Sequence, residues 1–155
     1  DEKLWHEWSS WTAALEHEVF LYNHVADKGD GAAYLLSSVH GDIYRLDPSV
    51  YLDEADPITV EIITNKYDMD TYNRKFGSVV RLVGDSYSTS NVVTLSWTND
   101  DYQTWSTGVP IEMSDSYPAF QRLGQFRRRA WKLKHTANQP LRLESLELIY
   151  EEGTH

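Results

Sequence analysis

The chain of 155 residues is long enough for one compact domain or two small ones, and its 41% hydrophobic and 25% charged residues support a packed core rather than wholesale disorder. It contains no cysteine, which excludes a disulfide framework, thiolate metal sites and cysteine nucleophiles and fits a reducing compartment. With 24 acidic against 14 basic side chains the net charge is −10, which argues against a dedicated binder of duplex nucleic acid.

Taken in chain order, short runs rich in Val, Ile, Thr, Tyr and Trp predict strands near 4–9, 18–25, 33–39, 43–47, 58–66, 73–86, 91–98, 109–113, 126–136 and 141–151. Turn chemistry separates them at Asp27-Lys28-Gly29-Asp30-Gly31, His40-Gly41-Asp42, Asp56-Pro57 and Thr107-Gly108. Segments 11–18 and 66–73 are long enough for a turn or two of helix, although neither sustains a helical period. The acidic, proline-containing stretch 47–57 is the best internal boundary, giving a β-meander over 1–55 and a β-sandwich-like domain over 56–155. The expected fold is all-β, an antiparallel β-sandwich preceded by a meander that resembles part of a propeller blade.

No apolar run approaches the roughly 20 residues that span a bilayer, so no membrane partner is expected. The first residues, DEKLWHEWSS, lack the basic start and apolar stretch of a secretory signal. The missing initiator methionine and the Gly153-Thr154-His155 end predict a piece of a longer protein.

The stretch TNDDYQTW, residues 98–105, reads as a hairpin staple. Asp100 can accept N–H groups of its own turn, Thr98 and Thr104 can tie the strand ends, and Trp105 can pack against the turn. The pattern resembles the Asp-box hairpin of sialidases and other β proteins, in which it generally lies away from the active centre. Tyr102 stands where that box carries glycine, a place that suits a positive φ.

Downstream, Arg122, Arg127, Arg128, Arg129, Lys132, Lys134 and His135 form a basic run interleaved with Phe126 and Trp131. Strand alternation puts Arg127, Arg129, Trp131 and Leu133 on one face, a mixture typical of arginine stems packed on aromatics. Phe126, Arg127, Arg129 and Trp131 are therefore candidates for an interface within the molecule or between subunits. Contact with nucleic acid and a solvated face remain open. Acids at Asp42, Asp47, Asp53, Glu54, Asp56, Asp68 and Asp70 read as solvated loop groups. The histidines show no metal-ligand spacing, and no phosphate-binding glycine loop occurs, so no catalytic residue, metal or cofactor is expected. Six tryptophans and ten tyrosines keep a carbohydrate-binding sandwich open as an alternative, while an Asp-box hydrolase lacks a recognisable acid pair or arginine triad.

TLSWTNDDYQTWS followed by FQRLGQFRRRAWKLKHTANQPLRLESLELIYEEG resembles the closing segment of packaged-DNA stabilisation proteins of short-tailed phages. The matching features are Thr98, Asp100, Thr104 and Trp105, then Leu123-Gly124-Gln125 leading to Arg127, Arg128, Arg129 and Trp131. Upstream, Gly41, Ile43, Tyr44, Leu46 and Asp47 match a propeller-like "G-x-I-Y-x-L-D" run. The resemblance implies a non-enzymatic virion protein, the C-terminal part of a tail hub or tube below the portal, present in the host cytoplasm during assembly. It further implies a ring of copies, contacts with portal or adaptor and distal tail proteins, and DNA only as cargo sliding past an acidic wall.

Overall fold

The computed structural model describes residues 9–11, 17–19, 22–53 and 55–154, and every regular element among them is a strand. The chain divides into two compact units, Asp1–Ile58 and Thr59–His155. No helix among the described residues is long and apolar enough to cross a membrane.

In the first unit, β1 (Ser9–Trp11) pairs antiparallel with β2 (His17–Val19). A meander follows, with β3 (Tyr22–Asp27), β4 (Ala33–Ser37) and β5 (Ile43–Arg45) side by side in sequence order. Its first turn is built by its own side chains. Asp27 accepts the Gly29 N–H at 2.7 Å and Asp30 accepts the Ala32 N–H at 3.0 Å, while Gly29 and Gly31 take positive φ. A short hairpin, β6 (Leu52–Asp53) with β7 (Asp56–Pro57), closes the unit, and the Tyr22 hydroxyl donates to Asp53.

The second unit is an antiparallel β-sandwich. One sheet has the order β11 (Val109–Glu112), β10 (Val92–Thr98), β13 (Ala130–His135), β8 (Val60–Ile63). The other has the order β12 (Ala119–Phe126), β9 (Lys75–Gly84), β14 (Leu143–Glu152). Between them lie Val80, Leu82, Val93, Leu95, Ile111, Met113, Leu123, Trp131 and Leu133, all buried. The period-2 pattern of β10 sends Val93, Leu95 and Trp97 inward, and that of β13 does the same for Trp131, Leu133 and His135.

Several expectations need correction. Residues 66–73 are not helical: Tyr67 forms an isolated bridge to Arg129, and Met69 and Asp70 turn the chain at φ +56° and +59°. Of segment 11–18, Trp11, His17 and Glu18 are strand and 12–16 lie outside the described residues, as does 4–8 of the first expected strand. Strand β12 was not expected. A bulge between Gln121 and Gly124 disrupts its alternation, with Arg122 at φ +63° and Gly124 at +68° on either side of buried Leu123. The strand expected from 126 starts at Ala130, because 127–128 form a bend.

Candidate functional site

The staple forms as its chemistry demands. The Thr98 hydroxyl donates to Asp100 Oδ1 at 2.7 Å, and the same oxygen accepts the Thr104 N–H at 2.9 Å. The Thr104 hydroxyl donates to Oδ2 at 2.5 Å. These donors, the Thr104 hydroxyl foremost, hold the Asp100 carboxyl down at about 2. Below the box, the Ser106 N–H donates to the Trp97 carbonyl at 2.9 Å and the Trp97 N–H to the Ser106 hydroxyl at 3.0 Å. Trp105 is half-buried, with the Lys132 ammonium 4.4 Å from its ring centroid.

The turn survives without its glycine because Tyr102 itself adopts the left-handed conformation, at φ +69°, after Asp101 at +61°. Its ring lies 6.0 Å from that of Trp105, and its hydroxyl reaches the loop after β8. Asp101 anchors the same corner, pairing with Lys66 at 2.7 Å and Arg128 at 2.9 Å.

The arginine run separates into two roles. Phe126, Arg129 and Trp131, expected at an interface, are buried in the second unit with 4%, 2% and 2% exposure. This corrects the face assignment: the run is not one continuous strand, so Arg129 turns in while Arg127 stays exposed. The Arg129 guanidinium lies 4.1 Å from the Phe126 ring centroid and 5.3 Å from those of Trp97 and Trp131. Its Nε donates to Asn99 Oδ1 and a terminal nitrogen to the Leu123 carbonyl, both at 2.8 Å. Among the described residues no carboxylate pairs with it. Burial lowers its pKa to about 10, still charged at neutral pH.

A second buried cation, Lys75, donates to the carbonyls of Thr71 and Arg127. The Tyr67 and Arg129 backbones exchange two hydrogen bonds, at 2.9 and 3.0 Å. Together these bonds fix loop 67–72 against bend 127–129 and leave a cleft of about 310 Å³ between them. Asp68, Tyr72, Asn99, Arg127 and Arg128 line it. Sequence reasoning noted Asp68 only as a loop acid and missed Tyr72 and Asn99, since nothing in the local pattern of 67–72 announces pairing with residues some sixty positions on.

At the opposite end, a second polar cluster joins β10, β11 and β13. Buried Asn91 takes His135 Nε2 at 2.6 Å on its Oδ1 and donates to the Pro140 carbonyl at 2.9 Å. Its backbone N–H donates to Glu112 at 2.5 Å, and the Ser90 hydroxyl donates to the same carboxylate at 2.6 Å. Among the described residues no group of three His, Asp or Glu side chains is placed to hold a metal.

No protein-family model matches the chain, and no curated protein matches its sequence.

Proposed function

We propose that the chain is a structural component of a virion: part of a tail hub or tube protein that assembles as a ring of copies below the portal of a short-tailed phage. The observation that carries this reading is β8. It is an edge strand whose four residues are all exposed, with Ile62 at 41% and Ile63 at 50%. Sheet edges are ordinarily guarded by charge or by a covering element. The edge strand β14 is guarded, with Glu144, Glu147, Glu151 and Glu152 along it, whereas Glu61 is the one charge on β8. Val60 and Ile62 also lie beside Val93, Leu133, Leu141 and Leu143, with Lys134 and His135 next to them.

Such an edge suits pairing with a neighbouring copy, and where it meets a different surface of that copy and the rotation closes, the copies form a ring. The net charge of −10 suits a channel wall along which DNA slides without adhering, with portal or adaptor and distal tail proteins as the axial partners. The reading is non-enzymatic. Asp100 and Glu112, whose carboxyls are both held at about 2, have donors from their own turns and neighbouring strands, which is the behaviour of structural acids.

The test is localisation. Antibodies raised against the chain, applied to particles from lysed host cultures and viewed by electron microscopy, should decorate the tail just below the portal. Label confined to material outside the particles overturns the reading.

A further inference from the structure

We propose that the cleft between loop 67–72 and bend 127–129 binds a carboxylate-bearing sugar, a uronic or nonulosonic acid unit of a surface glycan. The inference is independent of the tail reading.

Four features point to this ligand. First, the cleft is preorganised. Buried Lys75 ties the Thr71 and Arg127 carbonyls, buried Arg129 is bonded to Asn99 and Leu123, and paired backbone bonds join Tyr67 to Arg129. Its volume of about 310 Å³ lies at the small end of the roughly 300–1,000 Å³ of small-molecule sites.

Second, the cleft holds one cation with no carboxylate partner among the described residues, Arg127, on an acidic protein, beside the lining carboxylate of Asp68. Asp101 is engaged by Lys66 and Arg128, and no carboxylate among the described residues pairs with Arg127. One Arg127 terminal nitrogen donates to the Tyr72 carbonyl at 2.7 Å, which orients the guanidinium and leaves its other N–H groups for a ligand. A planar guanidinium matches a carboxylate through two parallel bonds.

Third, Tyr72 is 77% exposed, with the Arg127 guanidinium 5.7 Å from its ring centroid. That leaves an open aromatic face for the C–H surface of a pyranose ring, the geometry that aromatic side chains with a polar edge provide.

Fourth, polar groups of both senses flank the ring. Asn99 commits its Oδ1 to Arg129, so its amide hydrogens remain to donate. Asp68 accepts the Asp70 N–H on Oδ1 at 3.1 Å, leaving Oδ2 for a sugar hydroxyl. A bare anion would use Arg127 but neither the ring of Tyr72 nor the acceptor Oδ2 of Asp68, whereas a sugar acid can set its carboxylate at Arg127 and a hydroxyl at Asp68.

The experiment is isothermal titration, with ligand-observed NMR, of the chain against N-acetylneuraminic acid and glucuronic acid. The comparison ligands are their methyl esters, glucose, acetate and inorganic phosphate. At least one acid should bind saturably, and esterification should weaken it by about tenfold or more, as loss of a charge-assisted bidentate contact does. Arg127→Ala and Tyr72→Ala should each weaken binding similarly, with Arg127→Lys in between. Both side chains are exposed, and matching circular dichroism and thermal melts establish that the variants fold. The proposal is overturned if neither acid saturates, if the esters bind as well as the acids, or if phosphate or acetate binds as tightly. It is also overturned if Arg127→Ala and Tyr72→Ala both bind like the parent chain.

Discussion

The Tyr102 hydroxyl donates to the carbonyl oxygen of Thr64 at 3.0 Å, linking the tip of the staple to the end of β8. Thr64 in turn is bonded to β13: its N–H donates to the Trp131 carbonyl at 2.9 Å and its hydroxyl accepts the Trp131 N–H at 3.0 Å. One non-glycine residue at positive φ thus connects three segments of the sandwich.

The linkage sets opposing terms at position 102. A left-handed conformation costs a non-glycine residue roughly 1–2 kcal/mol, while an exposed hydrogen bond and an aromatic contact each return about 0.5–1.5 kcal/mol. Tyr102→Gly should therefore change stability by no more than about 1 kcal/mol, because relief of strain offsets lost contacts. Tyr102→Ala keeps the strain and loses the contacts, so it should be less stable than the glycine variant by about 1 kcal/mol. Urea unfolding of the two variants checks the order; an alanine variant as stable as the glycine one contradicts the balance.

Arg129 yields a prediction that separates a core role from an interface role. Truncation to alanine opens a cavity among Trp97, Phe126 and Trp131 and strips Asn99 Oδ1 and the Leu123 carbonyl of their donor. Arg129→Ala should cost about 3 kcal/mol or more, and Arg129→Met, which fills the space without the charge, distinctly less. Chemical denaturation measures both. Were Arg129 an interface residue, stability would stay unchanged and the mass in solution would shift instead.

How far the fold was legible follows from where the information lies. The staple could be read because Thr98, Asp100 and Thr104 act within seven residues, through bonds from two hydroxyls and one backbone N–H to a single carboxylate that local chemistry dictates. Strand β10 could be read because, from Val93 on, VTLSWT alternates apolar and polar side chains. Strand β12 could not, since its bulge places Arg122 and Gly124 where alternation fails. The sequence offers Arg129 as an interface candidate packed on aromatics, but not its full burial, because charge belongs in water by default. Its burial depends on rings from β10, β12 and β13 meeting at one point, a long-range fact absent from any local window. The cleft is hidden for the same reason: Tyr72 and Arg127 are neighbours only because Lys75 and the Tyr67–Arg129 bridge join their segments.

Acid should weaken the second unit through its hydrogen-bonded carboxylates, Asp100 and Glu112 foremost, with Asp101 and Glu152 also lowered. The folded-state pKa values of Asp100 and Glu112, about 2, lie below the ordinary 3.8 and 4.5. The unfolded chain therefore binds more protons in that window, so this stability is complete above pH 4.5 and is lost as pH falls toward 2. The double variant Asp100→Asn, Glu112→Gln should be less stable at pH 7 but show a flatter decline between pH 4.5 and 2.5 than the parent. Thermal melts across that range test it, and parallel declines would refute the assignment.

His135 acts earlier on the same scale and by a different cause. Burial lowers its pKa below the ordinary 6.5, because an imidazolium in that position would lose hydration that Asn91 Oδ1 alone does not replace. With the folded pKa depressed for a base, the unfolded chain takes up the proton first. The stabilisation is full above pH 6.5 and falls as pH drops from 6.5 to the folded value, where the loss levels off. Replacing His135 with glutamine keeps a neutral donor for Asn91 and removes the titration. The parent should lose stability between pH 7 and 5 while His135→Gln holds nearly level over that interval, carboxylates contributing only at lower pH. NMR titration of the His135 ring resonances supplies the independent check: a midpoint at or above that of a free histidine would exclude burial as the cause.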